Sequence, residues 1–454
     1  MAGRSMRACL WQPLAYNQLL TKTQKRKETK YNMKPSLRIK EIERITLRVP
    51  FTPRTAIWNA LLVHQWQIVE IIRVTTDDGT VGYGETLPHY TWGRVPDEAI
   101  ERAKGRNPVE LLGDDSLGAG LQMALYDAVG KALEVPVHRL LNMPKVRDWT
   151  PIAWWNTKMG ADDLAEEAKD AVEAGYIFHK FKARPWICVY EQVEKVSAVT
   201  PAHYRLDLDW NSMLLNVGTA APVLQKLDTY ERVSIYEGPI PQHDVEGLRE
   251  LRRKVAHPIA LHFGVPPFPT AVHESVCDGF VIGGGVNRVL RQGTLAAEFE
   301  KPFWLQLVGV GLITALSAHL GAVLPFAQWP TITCLNNYSD SLLTEPLTIR
   351  GGYLQVPDGP GLGVTVNENA LTQYKMDPPY ELPHPRHILS VVWPGGRVVH
   401  FANMRDHCWP HFMAGNDPAQ EPGVRLEIWD EDGSPEWADL YARVQQGPVR
   451  DQRG

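Results

Sequence analysis

Residues 177–183 read Ile-Phe-His-Lys-Phe-Lys-Ala, and the stretch recurs in kind at 204–211 (Tyr-Arg-Leu-Asp-Leu-Asp-Trp-Asn) and 233–239 (Val-Ser-Ile-Tyr-Glu-Gly-Pro). Each is a short, mostly apolar run whose polar side chains collect at its end. A strand alternates its faces, so Lys180 and Lys182 share one face while Phe181 takes the other. Further strand candidates follow at 149–155, 259–264, 279–283, 302–308 and 331–335. Segments of helical spacing at 162–174, 188–199, 219–227, 245–255, 289–299 and 312–324 separate most of them. Eight strands alternating with helices predict a closed parallel barrel rather than an open sheet. In such a barrel the chemistry sits at the C-terminal ends of the strands, on residues that point inward.

Outside the barrel the rhythm differs. The run 67–75 (QIVEIIRVT) meets Asp78-Gly79, a hairpin signal, and returns as Thr80-Val81-Gly82-Tyr83-Gly84-Glu85. Helical spacing follows at 99–104 and 118–133, so residues 37–148 read as an α+β unit. Residues 1–36 are basic and polar without periodicity and are expected to be a disordered tail. Residues 379–454 form a β-rich C-terminal extension: a hairpin at 388–401, a third strand at 424–429 and a helix at 434–444. Its His400, His407, Cys408 and His411 lack the paired spacing of a zinc site, and packing is the expected role.

Composition narrows the function classes. The chain has 454 residues, 44% hydrophobic and 22% charged, and 47 Lys+Arg against 52 Asp+Glu leave a net charge of -5. No concentrated basic surface is available for phosphate backbones, so no nucleic-acid partner is expected. No apolar run approaches the roughly 20 residues that span a bilayer, so no membrane partner is expected either. The five cysteines are scattered, odd in number and never in a CxxC pair, which fits a reducing, cytoplasmic compartment.

The strand ends carry the chemistry. Two ammonium groups facing into a barrel mouth are expected to depress each other's pKa, which makes a lysine usable as a base. The next strands add Asp207, Asp209 and Asn211, then Glu237. Carboxylates on neighbouring strands make the oxygen-rich site that a hard divalent ion such as Mg²⁺ prefers.

The order KxK, DxN and ExP on successive strands resembles the mandelate racemase and muconate-lactonizing family of the enolase superfamily. The likeness extends over residues 37–378 through 75–85 (TTDDGTVGYGE), 124–133 (ALYDAVGKAL) with Val135-Pro136, 342–347 (LLTEPL) and 357–363 (PDGPGLG). It implies a (β/α)7β TIM-like barrel at 149–336, covered by an N-terminal α+β capping domain at 37–148 to which 337–378 returns. It implies a Mg²⁺ that holds a substrate carboxylate while a base removes the α-proton. Carried over residue by residue, Lys182 is the base and Lys180 the lysine that tunes it. Asp209 and Glu237 are metal ligands, and Asn211 is a polar neighbour of the substrate.

This chain departs from the pattern on the later strands. His262 and Phe263 stand where the family has its third acidic ligand. His262 is either the third metal ligand or a hydrogen-bonded core residue. Strand six ends in Gly283-Gly284-Gly285 and strand seven carries Gln306, neither of which moves a proton, so two-base racemisation finds no second base. One-base dehydration survives, with Lys182 taking the proton and the hydroxyl leaving from the same face. Asp207, Arg184, Gln306 and Trp58 are expected near the substrate, and His64, His89, Tyr90 and Trp92 in cap loops over it. The expected function is that of an acid-sugar or hydroxy-acid dehydratase acting on a small carboxylate, in a homo-oligomer. A racemase or epimerase of the same family, or a degenerate member acting as a binding protein, are the alternatives.

Overall fold

In the computed structural model, which describes residues 37–453 apart from 91, 92 and 419, three antiparallel strands come first: β1 (Ile39–Arg48), β2 (Ile68–Thr76) and β3 (Val81–Thr86). The turn between β2 and β3 is the expected Asp-Gly step. Gly79 has φ +86°, and Asp78 Oδ1 accepts from the Thr80 amide at 3.1 Å. The helix Ala119–Ala132 lies on β3 so closely that a Cβ at Gly82 or Gly84 would stand 2.2 or 2.1 Å from a helix carbonyl. The expected tail and Trp92 lie outside the described residues.

The barrel follows. The run expected at 149–155 divides at its middle: β4 (Trp149–Pro151) joins an outer sheet, and β5 (Trp154–Asn156) begins the barrel. Then come β6 (Phe178–Lys182), β7 (Arg205–Asp209), β8 (Val233–Glu237), β9 (Ile259–His262), β10 (Gly279–Ile282) and β11 (Phe303–Leu305), all parallel and paired in chain order. The eighth strand expected at 331–335 is reduced to two bridges, Thr331 with Ile152 and Ile332 with Gln306, which join the two edges of the sheet. Helices return between the strands, and side chains from the turns start two of them: Asn216 Oδ1 accepts from Thr219 and Asp244 Oδ1 from Gly247. Phe181 is fully buried, and burying such a side chain contributes about 2 kcal/mol.

After the barrel, β13 (Tyr353–Gln355) pairs with β4 and β12 (Ile349–Arg350) with β13. Asp127, on the helix Ala119–Ala132, accepts from the amides of Tyr83 and Leu362 at 2.8 Å, tying 357–363 to the cap. The extension holds four strands where three were expected: β14 (His387–Val392), β15 (Arg397–Phe401), β16 (Arg425–Asp430) and β17 (Val449–Gln452), in the order β16-β14-β15-β17. The fourth, Val-Arg-Asp-Gln, has no apolar alternation because it pairs as an exposed edge. Ser434 caps the helix Pro435–Val444. His400 pairs with Ser390 and His411 with Asp417, at 2.7 and 2.5 Å. Among the described residues no helix is long and apolar enough to cross a membrane.

Candidate active site

Register brings the key residues to one level. Lys182 pairs with Asp209 and Asp209 with Glu237, so the last residues of β6, β7 and β8 stand side by side. Lys180 and Asp207 pair two residues below. Lys182 Nζ contacts Asp209 Oδ2, and Lys180 Nζ is paired with Glu237 Oε2 and lies 3.3 Å from Asp209 Oδ2. Asp209 Oδ1 accepts from the Asn211 amide at 3.1 Å, which fixes the carboxylate's orientation.

The two lysines differ in environment, contrary to the expected mutual depression. Burial would lower Lys180, but the charges of Glu237 and Asp209 outweigh it and hold its pKa above the ordinary value. Lys182 lies below the ordinary value, chiefly through burial, with Lys180 a lesser cause. Burial works against the charge on Asp209, yet Lys182, Lys180 and Arg184 hold its pKa well below the carboxylate range. Asp207 is pushed up to about 7 by burial.

A cavity of about 240 Å³ opens above this layer. Lys182, whose side chain is 19% exposed, lines it with Arg184, Asn211, His262 and Gln306. Gln306 Oε1 accepts from Lys180 at 3.1 Å, and its amide donates to the Tyr90 hydroxyl at 3.2 Å, linking barrel and cap. Arg184 donates to the carbonyls of Ala183 and Asp209 at 2.7 and 2.9 Å and to Asn211 Oδ1 at 2.5 Å. Trp66 meets Tyr90 edge to face at 4.8 Å and Trp155 at 5.9 Å, forming an aromatic roof.

Two residues expected near the substrate lie outside the cavity wall. Trp58 is turned away: its indole donates to Asp163 at 2.7 Å and its ring rests on Gly160. Asp207 is buried one strand step below Asp209 and, like Asp209 and Glu237, is absent from the cavity wall. Conversely, Trp66, Trp155, Lys158 and Trp409 line the cavity without having been singled out. Strand-end reasoning applied to Asn156-Thr157-Lys158 finds Lys158, provided the first strand is carried past Trp155.

The later strands serve a different purpose. The amides of Val286, Asn287 and Arg288, which follow Gly283-Gly284-Gly285, donate to Gln122 and Asp115 of the cap at 2.8–3.0 Å. That helix start therefore has its donors satisfied by protein. Glu85 accepts from the amides of Val310 and Leu312 after β11. Burial without a counter-charge pushes Glu85 up to about 7. His319 stacks on His138 and contacts the Leu362 carbonyl, a packing role.

Both oxygens of Glu237 are buried and lack a hydrogen bond of good geometry, and Asp209 stands at the same level; paired carboxylates of this kind suit a hard cation. His262 Nε2 lies 3.1 Å from Glu237 Oε1, with 42% of the side chain exposed. Among the described residues no group of three His, Cys, Asp or Glu side chains is placed to hold an ion. The residues fit the cation in kind and supply two carboxylates.

Comparison with known proteins gives consistent results. A family model described as Enolase C-terminal domain-like matches residues 163–370. D-gluconate dehydratase of Thermoproteus tenax is 26% identical over 396 residues, 75% of this chain and 74% of that protein. The 2-chloromuconate cycloisomerase of Rhodococcus opacus 1CP superposes with a TM-score of 0.62 at 23% identity, covering 75% of this chain and all of that one. A putative L-alanine-DL-glutamate epimerase from Burkholderia xenovorans, solved with magnesium and fumarate, gives 0.61 at 18% identity, over 76% and 97% of the two chains.

Proposed function

We propose that the chain is a member of the enolase superfamily, to whose C-terminal domain model residues 163–370 are similar, and an acid-sugar or hydroxy-acid dehydratase that removes a proton α to a carboxylate. The observation that carries this reading is the level formed by Lys182, Asp209 and Glu237, of which Lys182 lines a small cavity. Asp209 and Glu237 would hold a divalent cation, Mg²⁺, with His262 the nearest further donor. When bound, that cation stabilises the negative charge that develops on the substrate carboxylate.

Lys182 Nζ, held below its ordinary pKa by burial, takes the α-proton. Lys180, kept charged by its two carboxylates, adds fixed positive potential under the developing enediolate. The proton on Lys182 then passes to the β-hydroxyl as its C–O bond breaks. Water leaves, and the enol that remains rearranges to a 2-keto acid. One base on one face suffices, which favours dehydration over racemisation: Gly283 and Gln306 occupy the ends where a second base would be needed. The test is incubation of the full chain with Mg²⁺ and a panel of C4–C6 sugar and hydroxy acids, followed by detection of 2-keto acids. Formation with at least one acid, abolished by chelation, is expected. No product from any acid, together with no retained divalent ion, would favour a binding protein instead.

A further inference from the structure

Lys158, just beyond the end of β5, is 1% exposed, and its ammonium has no hydrogen-bond partner. It lines the same cavity as Lys182 and Arg184. A buried ammonium without a partner is costly, and proteins keep one chiefly where it meets an anion. Its charged neighbours are themselves cations: burial first, and then Arg184, hold its pKa well below the ordinary lysine value. Arg184 beside it spends its hydrogen bonds on two carbonyls and on Asn211, all neutral acceptors, and its Nε has none. The carboxylates Asp209 and Glu237 are already matched by Lys180 and Lys182. The Lys158 end of the cavity therefore holds a buried amine and a guanidinium that no acidic side chain bonds, and an entering carboxylate would favour the charged form of Lys158.

The C-terminal extension closes this end. The Trp409 ring lies 4.9 Å from the Arg184 guanidinium and lines the cavity, while Trp186 packs between Trp409 and Phe412. Backbone bonds from Cys188 to Val424 and from Gln420 to Pro185 hold the extension against the loop that follows β6. Trp409, Trp186 and Phe412 make this side apolar, which strengthens any charge pairing against it.

We propose that Lys158 and Arg184, roofed by Trp409, form a second anion subsite, so that the preferred ligand is a compact diacid with one carboxylate at the Lys182 end and the other at Lys158. This deepens the reading above and rests on it for the position of the first carboxylate. The cavity, at about 240 Å³, lies below the roughly 300–1,000 Å³ of drug-sized sites and suits a short chain. Galactarate against gluconate, and 2-hydroxyadipate against 2-hydroxyhexanoate, are pairs that differ in the far acidic group.

Calorimetric titration of the full chain in Mg²⁺ with these four acids is the test. In at least one pair the diacid is expected to bind about tenfold more tightly, the worth of one charge-assisted hydrogen bond, and Lys158→Met should erase that preference. Equal or undetectable affinity within both pairs overturns the proposal, and so does a preference that survives in Lys158→Met. The wild-type comparison stands even if the variant fails to fold. Diacid preference with no 2-keto acid from any acid of the panel that carries a β-hydroxyl keeps the subsite and removes the dehydratase reading. Product formation without diacid preference does the reverse.

Discussion

The ends of β6, β7 and β8 and the ends of β9, β10 and β11 are built for different tasks. The first three place Lys182, Asp209 and Glu237 at one level, over Lys180 and Asp207. The last three end in His262, in glycines and at Gln306, and their connections are occupied with the cap. Asp115 and Gln122 satisfy the amides after β10, Glu85 those after β11, and Tyr90 the Gln306 amide. One half of the barrel mouth carries charge for chemistry, and the other anchors the lid above it. On the proposed reading, a site organised this way works from a single face of the substrate.

The strongest way to break this division is to remove the base. Lys182→Ala should lower turnover by about 10²–10⁴-fold while leaving the far-ultraviolet circular dichroism unchanged. Turnover within tenfold of wild type would move the base to the other half. Next in size is Glu237→Gln, which strips Lys180 of its closer counter-ion. Breaking a buried pair costs about 3–5 kcal/mol, so urea denaturation should show a loss of that order. An unchanged midpoint would mean the pair is not formed in solution.

A third experiment addresses the lid side. The Glu85 carboxyl moves from 4.5 to about 7 on folding, because burial disfavours its charge. A raised carboxyl stabilises the fold when protonated. That contribution is complete below about pH 4.5 and is lost as pH rises through 7, amounting to about 3 kcal/mol. Glu85→Gln should remove this decline between pH 5 and 8, read from stability curves. A slope that stays the same would detach Glu85 from the lid's stability. The smallest expected effect sharpens the contrast at β9. His262→Asp restores an acid beside Glu237 and should tighten Mg²⁺ binding on the order of tenfold by calorimetry, since added ligand charge raises affinity for hard cations. No tightening would place the third ligand elsewhere.

Much of this was legible in the residues. The alternation Lys-Phe-Lys and Asp-Leu-Asp can bury its apolar members only by turning the charged ones inward, so β6 and β7 announced both the barrel and the site. What escaped depended on pairing partners distant in sequence. The run 149–155 divides because β13 recruits its first half, which hid Lys158 beyond the shortened strand. The eighth strand survives as two bridges and β17 as a polar edge, neither of which alternates. Trp58 and Trp66 were indistinguishable as tryptophans in a cap loop; Asp163 draws the first away, and Tyr90 and Trp155 hold the second over the cavity. Trp409, more than 200 residues beyond Arg184, reaches it only because the extension folds back on the loop after β6.

The central claim is that Lys182 removes an α-proton from a carboxylate held at this layer. Nuclear magnetic resonance of the full chain in D₂O with Mg²⁺ and a bound hydroxy acid reads that step directly, whether or not dehydration follows. The account predicts that the α-proton signal decays with wild-type protein and persists with Lys182→Ala. Persistence with wild type for every acid that binds, or equal decay with the variant, would contradict it.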